Sequence, residues 1–373
     1  ALAHEVVPTP NFDAAPEGSF VSAARMGYAE PTRAERDTLP PCTDGMLNGP
    51  FLGTDNITSI TPLGNISVPA HSLPTEHLYI NVAEQPSGVA TLPITAPGDI
   101  WITHISGGSG PDQSSSDYAV HFAVCQDVFG YFGHFDELSP LLQEIVDSQG
   151  CPAGTFPGDR DCSMQVMAPV AAAAPMGTVR TTGNFDLGMW DMTRLREFAN
   201  DDRVRGRSRF IQCAIEYFED ALRDRLFGLL DSEGDGCGRV SYDIPGALQG
   251  NWFLQGPIDQ NDDKSVFFGG DNLDRDGSIV SVSGVISEPG KMELTERDSG
   301  LVNRRFDQVT ADGQIYCYER DGTGRSEQYS QPGRLFEGHL LVRLTTDAEM
   351  LIEHRDGPCP SVLVFQNPYT YVR

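Results

Sequence analysis

His71 and His77 stand six residues apart at the mouth of the apolar run Leu78-Tyr79-Ile80-Asn81-Val82. Two imidazoles so placed could share a zinc ion, because a neutral ring nitrogen is a standard zinc ligand. Asn81, four residues beyond His77, carries a carboxamide, which is neutral and binds a cation weakly. A second metal-type pattern is Asn272-Leu273-Asp274-Arg275-Asp276-Gly277-Ser278-Ile279. It matches the first half of an EF-hand loop, with oxygens at alternate positions and glycine at the sharp turn, so Asn272, Asp274, Asp276 and Ser278 are calcium candidates. The twelfth position is Ser283 rather than glutamate, and strand-like sequence flanks the loop, so an ordinary Asp-Gly turn is the competing reading. Asp231, Glu233 and Asp235 form another acidic loop with poorer spacing. No Gly-x-Ser-x-Gly elbow, P-loop or Gly-x-Gly-x-x-Gly fingerprint occurs. Carboxylates are too plentiful to nominate a glycosidase pair. The run Arg203, Arg205, Arg207, Arg209 is read as solvated pairing with nearby acids or an electrostatic contact with another subunit.

The chain has 373 residues and a formal charge of −27, from 53 acidic and 26 basic side chains. A field of that sign opposes nucleic acid and anionic membrane surfaces, and no apolar run reaches a membrane-spanning length. Eight cysteines (Cys42, Cys125, Cys151, Cys162, Cys213, Cys237, Cys317, Cys359) are scattered without a CxxC pair, which reads as disulfides rather than a metal cluster. The natural pairings are Cys213–Cys237, Cys317–Cys359 and Cys125–Cys162, leaving Cys42–Cys151. The sequence opens on a polar segment, as a processed mature chain would. Asn56-Ile57-Thr58 and Asn65-Ile66-Ser67 are glycosylation sequons. Together these features predict an extracellular protein, secreted or at the cell surface.

The elements that must position these groups are mainly β. Residues 1–50, broken by Pro8, Pro10, Pro16, Pro31, Pro40 and Pro41, read as an extended arm. The arm lies on its own domain or docks on a second copy of the chain and builds a homo-oligomer. Residues 51–192 carry strand signals at 78–82, 100–105, 118–124 and 128–132, then a short helix or turn over 138–146. Over 193–238 an apolar stripe (Phe210, Cys213, Ala214, Tyr217, Phe218, Ala221, Leu222, Leu226, Leu229) predicts one amphipathic helix from about 208 to 230. Residues 239–373 return to short strands, including 248–254, 265–268, 278–282, 313–318, 339–344, 350–353 and 362–365. Their number and spacing predict an antiparallel barrel or sandwich. Gly250-x-Trp252 on its first strand resembles the opening of a lipocalin, where tryptophan plugs one barrel end.

The first domain resembles the M23 (lysostaphin/LytM-like) peptidases in motif order. His77-x-x-x-Asn81 stands where that family shows His-x-x-x-Asp. Ala96-Pro97-Gly98-Asp99-Ile100 with His104-Ile105 is similar to its "AP-x-DG-x-V" hairpin. Tyr131-Phe132-Gly133-His134-Phe135 with Leu138-Ser139 is similar to its "Y-x-x-HL-x-x-LS" strand end. Asp186-Leu187-Gly188 falls at its His-Leu-His motif. Cys213-x-x-x-Tyr217-Phe218, Cys237-Gly238 and Asp243-x-Pro245-Gly246-x-x-Gln249-Gly250-Asn251-Trp252-Phe253 extend the likeness to uncharacterised secreted M23-like proteins, over about 55–255.

The resemblance implies an antiparallel β domain and, in an active member, zinc held by His, Asp and His. Here His77 keeps a ligand position, Asn81 and Gly188 replace the other two, and His134 matches an assisting histidine. A rearranged zinc site would draw on His71, His77, His134 and Asp186; alternatively the histidines are structural, with Asp186 satisfying one of them. Asp191 could cap the segment starting at Met192. The leading expectation is therefore a secreted, non-catalytic extracellular binding or structural protein, a pseudoenzyme whose structural form would be a self-assembling surface subunit. The alternatives are a zinc metallopeptidase with an altered ligand set, and a carbohydrate- or lipid-binding module whose partner is a cell-surface glycan.

Overall fold

The structure, a computed structural model, describes residues 31–83, 91–109, 116–148, 162–181, 184–204, 206–231, 236–256, 264–274, 276–322, 335 and 337–373. It is mainly β, built on two antiparallel sheets. In chain order come α1 (Arg33–Arg36), β1 (Ile57–Thr61), β2 (His77–Val82), β3 (Thr91–Thr95), β4 (Ile100–Ser109), β5 (Ser116–Ala123) and β6 (Val128–Leu138). Then follow α2 (Pro140–Ser148), β7 (Cys162–Val170), β8 (Pro175–Arg180), β9 (Asn184–Asp191), β10 (Ile211–Gln212) and α3 (Asp220–Phe227). The rest is β11 (Gly250–Leu254), β12 (Ser265–Gly270), β13 (Ser278–Val282), β14 (Gly290–Leu294), β15 (Tyr316–Glu319), β16 (His339–Thr346), β17 (Glu349–Arg355) and β18 (Tyr369–Val372). The chain divides into two compact units that interleave along the sequence. One comprises Ala1–Ile57, Val82–Leu187 and Tyr217–Arg223; the other comprises Thr58–Asn81, Gly188–Glu216 and Asp224–Arg373.

In the first unit the strands run in the order β6-β5-β4-β7, and β8 pairs with both β3 and β6. Alternation explains which side chains enter the core: Tyr118, Val120 and Phe122 of β5 are buried on one face. Phe51, Phe132, Phe185 and Phe218 meet there, with Phe51 5.6–5.9 Å from each of the other three rings. Pro140 opens α2, whose Leu142, Ile145 and Val146 are buried at helical spacing.

The arm expected over 1–50 is only partly within the described residues, since 1–30 lie outside them. Beyond that point Thr32 and Glu35 form a capping box on α1, and Cys42 is bonded to Cys125, with 5.0 Å between Cα atoms. This corrects the expected pairings Cys125–Cys162 and Cys42–Cys151; Cys151 is outside the described residues. A bond across 83 residues cannot be read from spacing, because the fold alone brings the two together. Cys213–Cys237 and Cys317–Cys359 pair as expected.

In the second unit β11 to β18 form a barrel-like, nearly closed sheet of order β14-β13-β12-β11-β18-β17-β16-β15. Inward positions recur with period two: Trp252, Val266 and Phe268, Val280 and Val282, Met292 and Leu294, Tyr316 and Tyr318, Leu340 and Val342, Met350 and Ile352, and Tyr371. They fill the interior as one packed cluster. Trp252 sits at its margin: its indole N–H donates to Leu248 O at 2.7 Å, and the Arg373 guanidinium lies 4.3 Å over its ring. That guanidinium also donates to the carbonyls of Gln249, Ile244 and Ala247. Gly250 is required here, because a Cβ would come 2.1 Å from Asp243 Oδ1 and the backbone φ is +127°.

Two expected elements differ. The stripe over 208–230 is not one helix: 3₁₀ turns at Gly206–Phe210 and Ala214–Tyr217 flank β10, and α3 follows. Ile211 and Gln212 pair with Trp190 and Met189 of β9, and residues 211–215 are all buried. Consecutive burial suits a strand and tight turns better than a one-sided helix, so tertiary pairing overrides the helical spacing. The strand expected at 362–365 is irregular, with Val362 and Val364 exposed; β18 at Tyr369–Val372 closes onto β11 and β17 instead.

Candidate functional site

His134 projects from a bulge in β6. Tyr118 pairs with Phe135 and Val120 with Phe132, so β6 carries one residue more than β5, and His134 adopts φ +64°. Such a bulge re-aims a side chain, and here it brings His134 between two carboxylates. Its Nδ1 lies 3.2 Å from Asp117 Oδ1, and its Nε2 lies 3.3 Å from Asp186 Oδ2. Gly133 makes room: a Cβ there would meet Asp186 Oδ2 at 3.1 Å and Asp186 Cβ at 3.2 Å. Hydrogen bonds to Asp117 and then to Asp186 push the imidazole pKa from 6.5 to about 10, against the opposing effect of burial. At neutral pH both ring nitrogens are therefore donors. Of the four expected zinc residues the structure brings His134 and Asp186 together, and Asp117 is the partner that sequence reading missed.

The same sheet carries a row of polar aromatic groups that sequence reading also missed. His104 of β4 stands opposite His121 of β5, and His121 stands opposite Tyr131 of β6. The two imidazoles are 5.1 Å apart, and His121 stacks on Tyr131 at 5.2 Å. All three are buried, and His104 Nε2 lies 2.8 Å from Ser163 Oγ. Register alone assembles this row; the signal in the sequence was one or two histidines or tyrosines per strand, which is too sparse to align.

His71 and His77 meet in the second unit, with ring centroids 5.3 Å apart, and Tyr79 packs 4.7 Å from His77. Asn81 turns its amide to β1, where it donates to Ser59 Oγ and Thr61 Oγ1, each at 3.1 Å. Asp191 Oδ1 accepts from the Thr193 N–H at 2.9 Å, consistent with a cap on the segment that follows. Among the described residues no group of three or more His, Cys, Asp or Glu is arranged to hold a metal ion.

The expected calcium loop is the turn of the β12–β13 hairpin. Asp271 N–H donates to Gly277 O at 3.0 Å, Asp271 Oδ1 accepts from Leu273 N–H at 2.8 Å, and Asp274 Oδ1 accepts from Asp276 N–H at 3.2 Å. Asn272 directs its amide to Pro62 O at 3.2 Å, and Ser278 is buried in β13 opposite Gly270. Asn272, Asp274, Asp276 and Ser278 thus share one turn; the Asp271–Leu273 and Asp274–Asp276 bonds shape its backbone, and Asn272 ties it to Pro62. Glu233 and Asp235 lie outside the described residues. The sequon residues Asn56 and Asn65 are both half-buried.

Beside that turn lies a cavity of about 440 Å³ within the second unit. The ends of β12, β13 and β14 form one side, through Asp271, Asp276 and Glu296; the segment before β11 supplies Arg239, Tyr242 and Gln249. Burial pushes the Asp271 carboxyl above its ordinary value, opposed by the Leu273 N–H and the Lys291 charge. Burial likewise raises Glu296, opposed by the Phe306 N–H and Arg305. Arg305, also on the wall, grips Asp307 with two bonds of 3.0 and 2.8 Å.

No family model matches the chain, and no curated protein or solved structure matches it. Among the described residues no helix is long and apolar enough to cross a membrane.

Proposed function

We propose that this chain is a secreted, non-catalytic binding protein: an M23-like domain whose zinc positions have been put to structural use, joined to a β-barrel unit. The observation that carries this reading is Asn81. At the position of a metal-ligating carboxylate, its neutral amide donates to Ser59 and Thr61 and staples β2 to β1. The amide nitrogen carries no lone pair for a cation, and the carbonyl oxygen that remains is neutral and a weak ligand beside a carboxylate. Gly188 supplies no ligand at the third position, and the assisting histidine, His134, has both nitrogens engaged by carboxylates. A catalytic zinc needs about three protein ligands to bring its water near neutral pKa.

The three disulfides among the described residues suit an oxidising compartment, which supports the extracellular reading. The packed barrel interior favours a ligand bound outside the barrel over a lipid held within it. The test is metal analysis of natively purified protein, paired with peptidoglycan-peptide cleavage assays. We expect substoichiometric zinc and no chelator-sensitive cleavage; about one zinc per chain with such cleavage overturns the reading in favour of an active metallopeptidase.

A further inference from the structure

We propose that the cavity beside the β12–β13 turn is a binding site for a neutral saccharide of one to two rings. The inference deepens the binding reading by naming a ligand class, and it rests on residues of the second unit alone. The volume of about 440 Å³ falls within the ~300–1,000 Å³ of small-molecule sites. The lining, however, is dominated by hydrogen-bonding side chains, whereas sites for apolar ligands are mostly hydrocarbon.

The chemistry of those side chains narrows the class. Asp271, Asp276 and Glu296 are acceptors, while Arg239, Arg305 and the Gln249 amide are donors. A hydroxyl both donates and accepts, so a ligand rich in hydroxyls can satisfy carboxylates and guanidinium groups within the same cleft. The charges also nearly balance, three acids against two arginines. An anion such as phosphate would meet three carboxylates, and a bare cation would meet two guanidinium groups; a neutral ligand meets neither penalty. Desolvation adds to the argument. Glu296 uses Oε1 to accept from the Phe306 N–H at 2.9 Å, and its half-buried carboxylate gains from a further donor. Tyr242, wedged against Phe267 with ring centroids 5.3 Å apart, is held firmly enough to present a fixed aromatic surface.

The test is calorimetric and saturation-transfer titration of the full chain with cellobiose, maltose, lactose and N,N′-diacetylchitobiose, with sodium phosphate and calcium chloride as competing probes. We expect saturable one-to-one binding of at least one disaccharide, unaffected by either salt beyond ionic strength. Glu296→Gln should weaken it about tenfold or more, the equivalent of one charge-assisted hydrogen bond. Because Glu296 also holds the Phe306 N–H, Arg239→Ala on an exposed side chain serves as the second variant, with the same expected loss and unchanged unfolding. Absence of saturable binding by all four disaccharides, equal binding by both variants, or displacement by phosphate or calcium overturns the proposal. Failure here leaves the metal analysis unaffected, and a zinc-loaded peptidase would leave this titration unaffected, so the two readings fall separately.

Discussion

In the first unit two carboxylates converge on one imidazole, with His134 held 3.2 Å from Asp117 and 3.3 Å from Asp186. In the second, Asp271 and Glu296 hold backbone N–H groups and line a cavity of about 440 Å³. Both clusters set acids beside basic side chains, and both shift pKa values upward, but for opposite reasons. His134 rises because acids stabilise its charged form; Asp271 and Glu296 rise because burial destabilises theirs. In the first cluster both ring nitrogens of His134 face carboxylates of the fold, and that pairing contributes to stability. The second retains unspent acceptor capacity beside open space, which is what a ligand can use.

The comparison can be broken at several points. Removing Cys42–Cys125 by a double serine substitution should cost the first unit about 4 kcal/mol, since it closes 83 residues, whereas removing Cys213–Cys237, which closes 24, should cost about 3 kcal/mol. Calorimetry should show the larger loss for the first; equal or reversed losses would separate stability from loop length. Gly250→Ala should destabilise the barrel unit by about 3 kcal/mol, because the new Cβ collides with Asp243 at a left-handed backbone position. Urea titration checks this, and a loss below about 1 kcal/mol would mean that the turn relaxes freely.

At His134 the expected effect is smaller. Half of the ring is solvent-exposed, so His134→Gln should cost about 1 kcal/mol near neutral pH. Its pH dependence is the sharper test. The folded pKa is raised above the unfolded value, so this stabilisation is complete below about pH 6.5 and is lost as pH rises to about 10. Wild-type urea midpoints should fall across that window more than those of His134→Gln; parallel profiles would remove the clamp as a stabilising unit. Glu296→Gln should change stability least, within about 0.5 kcal/mol, and so mark its site by binding alone.

Much of the strand pattern was legible. The runs at 78–82, 100–105, 118–124, 128–132, 265–268, 278–282, 339–344 and 350–353 all fall in strands, because alternation or dense β-branched content is written in neighbouring residues. The short helix after Leu138 was equally local. The candidate sites were less so. His134 and Asp186 were singled out, but Asp117 became their companion only through the β5–β6 register, and Arg239, Tyr242 and Glu296 shared no motif. His71 and His77 matched a ligand spacing and meet ring to ring, and Asn272 lies in the β12–β13 turn with its amide on Pro62.

By itself the sequence determined a mainly β, strongly acidic, disulfide-bonded chain, the periodicity of most strands and the two cysteine pairings of shorter separation. Only the tertiary structure decided the Cys42–Cys125 bond, the breaking of the 208–230 stripe by pairing with β9, the closing strand at Tyr369–Val372, and the cavity beside the β12–β13 turn. The physical reason is one of range. Backbone preference and side-chain alternation act between residues close in sequence. Register, burial and cavity walls depend on which distant segments meet, and that is settled by the packing of the whole core.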